Sequence, residues 1–170
     1  IKLNPEKCIF GVLAGKLLGF IVSGRGIEAN PAKIRALSQL DIPKDLKQIQ
    51  KLTGCVAALS RFISRLGEKA LPLYRLLRRT EHFEWTDDAT AGLDEIKAIL
   101  ATNPVLAASI TGEPMLLYIA ATHQVVSAVL VVERETDGHK FPLQRPVYYV
   151  STVLTPCKSR YPHYQKIAYA

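Results

Sequence analysis

The clearest hydrophobic pattern in the chain is a row of apolar residues at steps of three and four. Its members are Leu46, Ile49, Leu52, Val56, Leu59, Phe62, Ile63 and Leu66. This spacing places side chains on one face of a helix, so it predicts a single helix of about twenty residues. Gly54 lies in the middle of that helix, where glycine costs about 1 kcal/mol relative to alanine. The glycine therefore indicates that something approaches the helix backbone closely.

The residues before this helix predict a hairpin and a short helix. Residues 8–22 hold two apolar runs around Leu13-Ala14-Gly15-Lys16, interrupted by glycines, a pattern that favours a β-hairpin. Ser23–Gly26 is typical of a turn. Asn30-Pro31 predicts a helix start, since asparagine caps well and proline suits the first helical position.

The second half of the chain changes from a helical to a strand-like period. Glu68–Arg79 predicts a basic helix, and Thr86 predicts the start of another that stops before Pro104. A further helix is predicted from Lys158. Between them lie three apolar runs, Met115–Ala121, Val125–Glu133 and Pro146–Val153. Three consecutive strands with short connections predict an antiparallel meander.

Composition and charge narrow the possible functions. The chain has 170 residues, of which 48% are hydrophobic and 22% charged, values that exclude a disordered or collagen-like chain. No apolar stretch is long enough to span a bilayer. Of the net charge of +7, residues 1–82 carry +9 and residues 83–170 carry −2. The first part is therefore expected either to contact a polyanion or simply to be a solvated basic surface.

The candidate binding residues lie beside the apolar row. Lys44, Lys47 and Lys51 share its helical spacing on a neighbouring face, with Gln48 next to them. Such lysines would neutralise phosphates without reading a base sequence. The four histidines have no partner at metal-ligand spacing, and no phosphate-loop motif is present.

Cysteines and carboxylates complete the set of candidate chemistry. The three cysteines are far apart and no secretory leader opens the chain, so we expect an intracellular protein with free thiols. The carboxylates Glu133, Glu135 and Asp137 crowd one hairpin end, and no acidic residue lies inside the first predicted strand of the meander.

Several segments in order resemble a gypsy-type LTR-retrotransposon reverse transcriptase, particularly that of plant elements. The part similar to the end of the palm, with its primer-grip hairpin, is Leu3–Gly11 followed by Leu17–Ser23. The parts similar to the thumb are 30–34, 52–54, 61–63 and 71–77. Phe83–Thr86 resembles the link into RNase H. The parts similar to the first three strands of an RNase H fold are 117–122, 127–130 and 146–151, and the part similar to its first helix is 160–166.

The resemblance implies a mixed α/β fold in four parts. These are the end of the palm (1–27), a helical thumb (28–82), a connection helix (83–112) and a truncated RNase H-like domain (113–170). The last part would hold a three-stranded antiparallel sheet and the start of its first helix.

The resemblance also implies partners and contact residues. It implies binding of an RNA–DNA hybrid or a DNA duplex, contact with the remaining polyprotein (palm, fingers, downstream RNase H or integrase) and no membrane partner. It places the chain in a cytoplasmic particle or the nucleus. It adds Arg61 and Arg65 to the nucleic-acid contacts, and Leu18 and Gly19 as the primer grip.

Two departures from the family pattern predict that this chain alone is inactive. The family's strand reads Leu-Tyr-x-Asp-Ala-Ser, and Ala120 stands at the position of its metal-binding aspartate; Gln165 stands at that of a glutamate ligand. The polymerase aspartates would lie before Ile1, so we expect a segment without a cofactor, with magnesium only in the complete enzyme. The alternatives are a working RNase H that uses substitute carboxylates such as Glu133 or Asp137, and a co-opted structural scaffold.

Overall fold

A computed structural model describes residues 4–78 and 83–170 of the chain. Leu3 and Arg79, which belong to predicted segments, lie outside these residues. The helices are α1 (Pro31–Ser38), α2 (Leu46–Ala57), α3 (Leu66–Lys69), α4 (Leu71–Leu76), α5 (Asp87–Ala101), α6 (Pro156–Ser159) and α7 (His163–Tyr169). The strands are β1 (Ala14–Leu17), β2 (Phe20–Ser23), β3 (Gly26–Glu28), β4 (Val105–Leu106), β5 (Met115–Ala121), β6 (Val125–Arg134) and β7 (Leu143–Val153).

Strands β1 to β4 form an antiparallel sheet in chain order. The predicted hairpin is present as β1 and β2, but the turn predicted around residues 13–16 is wrong. The turn is Leu18-Gly19, where both residues have positive φ angles of 49° and 83°. Two left-handed residues suit the tight hairpin turn that matches strand twist. The turn predicted at 23–26 is confirmed, whereas β3 and β4 had no strand signal, because they are very short.

The predicted helix of about twenty residues is wrong in its length. Helix α2 ends at Ala57, a single 3-10 turn follows at Ser60–Phe62, and Arg65 has a φ of 53° before α3 begins. The apolar row itself is buried at every position except Leu46. Apolar spacing therefore identified the core residues correctly, although the chain bends twice while burying them.

Helices α1 and α5 begin as their sequences predict. The Asn30 side chain accepts a hydrogen bond from the Ala32 amide at 2.9 Å, and the Thr86 hydroxyl accepts one from the Ala89 amide at 3.3 Å. The predicted basic helix Glu68–Arg79 is instead divided at Ala70 into α3 and α4.

The second sheet is the predicted three-stranded antiparallel meander, in the order β5-β6-β7. The mixed α/β fold class is confirmed. The helix predicted from Lys158 is present as two short helices, α6 and α7, separated by Pro162. No helix in the described ranges is long and apolar enough to cross a membrane.

The two sheets and the helices share contacts across the chain. The Ala107 amide donates to the Pro146 carbonyl at 2.8 Å, which joins the end of the first sheet to β7. The Gly67 amide donates to Ser151 Oγ at 2.8 Å. A methyl group at Gly67 would lie 2.7 Å from Val125 Cγ1, so only glycine allows α3 this close to the second sheet. The four-part domain division stays a prediction.

Candidate nucleic-acid interface

Helix α2 presents an exposed basic row opposite its buried face. Lys47, Lys51 and Gly54 follow one another at steps of four and three, and all three are exposed. Steps of this size place residues one above the other on a helix. The core side of the same helix is completely buried at Ile49 and Val56. The row is therefore held rigidly by the core while its amines face solvent.

Gln48, a predicted nucleic-acid contact, forms hydrogen bonds within the chain at the start of α2. Gln48 Oε1 accepts a hydrogen bond from the Lys44 amide at 3.0 Å, and its Nε2 donates to Asp45 Oδ2 at 3.1 Å. The Gln48 amide in turn donates to Asp45 Oδ1 at 2.7 Å. This reciprocal arrangement resembles a capping box, which satisfies the free amides of a helix start. Gln48 thus positions Lys44 and the first turn of the row.

Gly54 leaves an open place in the basic row. A Cβ built on Gly54 would have no heavy atom within 4 Å. Packing within the described chain therefore does not require a glycine here. The ion pairs in the described ranges are Arg25–Glu28, Arg65–Glu68 and Arg134–Glu113, and they include none of the three lysines.

Arg61 and Arg65 contact groups outside the α2 row. Arg61 Cζ lies 5.6 Å from the centroid of the Phe20 ring and 5.4 Å from that of Tyr148. Arg65 pairs with Glu68 and lines a cavity of about 230 Å³ against the second sheet. One predicted contact residue therefore stacks between two aromatic rings, and the other is already bound to a carboxylate.

The tip of the first hairpin carries the predicted primer grip. Leu18 is 88% exposed, and Gly19 follows it in the turn. A Cβ on Gly19 would lie 2.9 Å from Lys33 Nζ, so this ammonium packs directly on the turn. Sequence reasoning missed Lys33. The one available signal was a cation in the first turn of a helix, where the helix dipole disfavours positive charge.

Ala120 lies on the sheet face that packs against the helical part. It is opposite Ser127 in the β5–β6 register, and Ser127 Oγ lies 2.8 Å from Ser151 Oγ. The described residues lining the adjacent cavity include Arg65 and several apolar side chains but no carboxylate. A methyl group, hydroxyls and a guanidinium do not fit a hard divalent cation, which requires oxygen ligands with negative charge.

The carboxylates proposed as substitute metal ligands lie away from Ala120. Gln165, which stands at the position of the family's glutamate, is exposed on α7. Glu133 is six residues beyond Ser127 on β6, a separation of about 20 Å in a strand, and it accepts a hydrogen bond from Gln144 Nε2 at 3.0 Å. Asp137 lies beyond it in the hairpin turn. In residues 4–78 and 83–170 there is no group of three or more His, Cys, Asp or Glu able to hold a metal ion.

One ion pair stabilises the loop that precedes β5 of the second sheet. Arg134 Nε and Nη2 donate to the two carboxylate oxygens of Glu113 at 2.7 and 2.8 Å, and Nη2 also donates to the Ala108 carbonyl at 2.6 Å. The hydrogen bonds from Arg134 to this carboxylate, with one from the Ile110 amide, lower the pKa of Glu113 to about 2. The pair therefore stabilises the loop before β5.

A three-stranded meander followed by a helix, joined through α5 to a small basic helical part, is an RNase H-like arrangement of the kind associated with reverse transcriptases. Residues 85–170 match the RNase H-like domain found in reverse transcriptase, and the chain belongs to this family.

The relatives extend the likeness to almost the whole chain. It is 28% identical over 177 residues to the retrovirus-related Pol polyprotein from transposon opus of Drosophila melanogaster, covering 98% of this chain and 17% of the relative. It is 28% identical over 159 residues to the transposon Tf2-3 polyprotein of Schizosaccharomyces pombe, covering 94% of this chain and 12% of the relative. The chain thus spans less than a fifth of these relatives. The predicted likeness to a retrotransposon Pol polyprotein is confirmed.

Two solved structures share the fold. The foamy viral protease-reverse transcriptase in complex with RNA/DNA hybrid aligns with a TM-score of 0.73 and 20% identity, covering 92% of this chain and 21% of that one. The same enzyme in complex with dsDNA aligns with a TM-score of 0.70 and 22% identity, covering 91% and 31%. The fold of both the helical part and the sheet is therefore that of a reverse transcriptase segment.

Proposed function

We propose that this chain is a duplex-supporting segment of a gypsy-type, plant-like retrotransposon reverse transcriptase. It binds a template–primer duplex, either an RNA–DNA hybrid or double-stranded DNA, and supplies no catalytic carboxylate to the polymerase or nuclease centre. The observation that carries the proposal is the exposed row of Lys47, Lys51 and Gly54 on a helix whose other face is buried.

The row suits the backbone of a duplex for two reasons. Lysine ammonium groups attract phosphates of any sequence, and releasing counterions from the duplex makes such binding strongly dependent on salt. The open place at Gly54 allows the duplex to approach the helix backbone without a side chain between them. The solved structures that share the fold are complexes with an RNA/DNA hybrid and with dsDNA, which supports the same class of ligand here.

The absence of nuclease activity in the proposal rests on Ala120 and its surroundings. The position corresponding to the family's metal-binding aspartate carries a methyl group, and the segment around Arg65 packs beside it. Glu133 lies about 20 Å along the sheet, too far to replace a ligand beside Ala120. The RNase H-like sheet then acts as a connection that holds the basic helices in place.

The remaining partners follow from the same proposal. The palm and fingers, and a downstream RNase H or integrase, would come from other parts of the same polyprotein, and magnesium would bind only in the complete enzyme. The complex would work inside the cell, in a cytoplasmic particle or the nucleus. Coding sequence flanking the chain tests the class: an upstream Tyr-x-Asp-Asp supports it, and unrelated flanking domains contradict it.

Charge reversal tests duplex binding. The triple variant Lys44→Glu, Lys47→Glu, Lys51→Glu is expected to abolish the salt-sensitive binding of an RNA–DNA hybrid, measured by fluorescence anisotropy between about 50 and 200 mM salt. The matched control reverses three exposed or half-buried cations of the second half, Lys97→Glu, Lys140→Glu and Arg160→Glu, and changes the net charge equally.

Three outcomes would contradict the proposal. The triple variant at Lys44, Lys47 and Lys51 could bind the hybrid like wild type. Both triple variants could also lose binding equally, which would indicate a general effect of net charge. Cleavage of the hybrid by the purified wild-type chain with magnesium or manganese would refute the absence of catalytic carboxylates. Circular dichroism melting of each variant separates lost binding from lost folding.

A further inference from the structure

A cavity of about 220 Å³ lies between helix α4 and the second sheet, where β5 turns into β6 and β7 ends. Its polar wall comes from Tyr74, Arg75 and Arg78 on one side and from Gln124 on the other. The described residues that line it include none of the α2 row and not Ala120. The proposed function therefore leaves this cavity without a role.

The guanidinium of Arg75 is held in place at the wall of this cavity. Arg75 Nη2 donates to Gln124 Oε1 at 2.8 Å, and the Gln124 carbonyl accepts from the Leu154 amide at 2.7 Å. Helix α7 binds the same turn, since Lys166 Nζ donates to the His123 carbonyl at 3.2 Å. Because the turn is tied on two sides, the guanidinium and the side-chain amide lose little freedom when a ligand binds.

Several hydrogen-bond donors of the wall remain for a ligand. A guanidinium has five N–H donors, and the hydrogen bond to Gln124 occupies one on Arg75. Since Gln124 Oε1 accepts this bond, its Nε2 is left as a donor. Burial raises the pKa of the Tyr74 hydroxyl above its ordinary 10.0, so at neutral pH it keeps its proton and can donate. The described lining contains no carboxylate, and its polar part therefore suits an anion.

The remaining wall is apolar and narrows the class of anion. It includes Leu71 and Leu154, of which Leu154 is only 5% exposed. The volume is below the range of about 300–1,000 Å³ that holds drug-sized molecules, so the ligand must be compact. A carboxylate matches the planar fork of a guanidinium with two parallel hydrogen bonds. Burial of an apolar body against the leucines adds to the binding free energy.

We propose that this cavity binds a small organic carboxylate with a compact apolar body. The Arg75 guanidinium pairs with the carboxylate, Tyr74 and Gln124 donate to it, and the apolar body contacts Leu71 and Leu154. Such a ligand contacts both α4 and the second sheet, so its binding stabilises their packing. The site is independent of duplex binding by the α2 row.

Titration with benzoate tests the site directly. Benzoate is a compact aromatic carboxylate, and benzamide has nearly the same shape without the charge. Amide resonances of the isotope-labelled chain are followed by nuclear magnetic resonance, particularly those of Gln124 and Leu154. Benzoate is expected to cause saturable shifts at these residues. Benzamide is expected to bind about tenfold more weakly or less, since it cannot form charged hydrogen bonds with the guanidinium.

Two variants assign the binding to named side chains. Arg75→Gln is expected to weaken benzoate binding about tenfold, and Tyr74→Phe about threefold, because the first removes a charged donor and the second a neutral one. The phenylalanine variant removes a hydroxyl that has no hydrogen bond within the described ranges, so it should fold like wild type. The matched control is Arg35→Gln, an exposed arginine of α1 that does not line the cavity, and it should bind benzoate like wild type.

Four results would overturn the proposal. Wild type could show no saturable shift at Gln124 or Leu154, or benzamide could bind as tightly as benzoate. Arg75→Gln and Tyr74→Phe could both bind benzoate like wild type. Inorganic phosphate could displace benzoate at equal concentration, which would show that the apolar wall plays no part. Hybrid binding is measured separately, so its failure would refute the proposed function and leave this site standing.

Discussion

Replacing a helical glycine by alanine is expected to have opposite effects at Gly92 and Gly54. Both residues lie inside helices, α5 and α2. A Cβ at Gly92 would lie 2.3 Å from the carbonyl oxygen of Lys69, where α5 packs against α3, whereas a Cβ at Gly54 would have no neighbour within 4 Å. The same substitution therefore adds a clash with rigid backbone at one site and only a better helix former at the other.

The magnitudes follow from these distances. Carbon and carbonyl oxygen ordinarily approach to about 3.3 Å, so α5 must move by about 1 Å to admit the new methyl group. Overpacking of this kind costs about 1–3 kcal/mol, and a contact with backbone falls at the upper end. Alanine recovers about 1 kcal/mol of helix propensity. Gly92→Ala is thus expected to lose about 2 kcal/mol of folding free energy, and Gly54→Ala to gain about 1 kcal/mol.

Thermal and urea unfolding followed by circular dichroism measure both variants. For a chain of this length 1 kcal/mol shifts the melting temperature by about 2–4 °C, so Gly92→Ala should melt about 4–8 °C lower and Gly54→Ala about 2–4 °C higher. A Gly92→Ala variant as stable as wild type would refute the close packing of α5 on α3. If a stabilised Gly54→Ala variant lost hybrid binding, the result would indicate that the duplex contacts the α2 row at Gly54.

Two further predictions concern the second sheet. Because hydrogen bonds from Arg134 depress the pKa of Glu113 in the folded chain from 4.5 to about 2, the stabilisation by this pair is complete above pH 4.5 and is lost as the pH falls toward 2. The melting temperature of Glu113→Gln should lie below that of wild type at neutral pH and converge with it toward pH 2. The melting temperature of the exposed control Glu95→Gln should follow that of wild type. Parallel curves of melting temperature against pH for Glu113→Gln and wild type would contradict the linkage between this carboxylate's protonation and stability. Strand β5 is an edge of its sheet in the described residues, and Leu117 on it is 60% exposed. An unpaired apolar edge strand favours pairing with a second copy, so we expect the chain to self-associate and Leu117→Lys to reduce the association that light scattering measures. Equal reduction by Ile42→Lys, in a loop with 54% exposure, would show that the edge is not responsible.

Local patterns in the sequence identified the secondary structure wherever a short-range physical cause was sufficient. The caps at Asn30 and Thr86 depend on a side chain and an amide two or three residues away. The strands β5 and β6 follow from apolar runs bounded by turns. The apolar row of Leu46–Leu66 likewise identified core residues, because burial follows the spacing of apolar side chains whether or not the helix continues.

Tertiary contacts decided the features that connect distant residues. The predicted helix ends at Ala57 because the later part of the apolar row must reach the core and Gly67 must reach Ser151, 84 positions along the chain. Strand β4 exists only because β3 pairs with it. The sequence shows Arg61 only as a basic residue. In the structure it lies between Phe20 and Tyr148, and this contact joins three segments of the chain. The spacing of apolar residues predicts structure over about one helical turn. Contacts between residues far apart in the chain depend instead on how separate elements pack together.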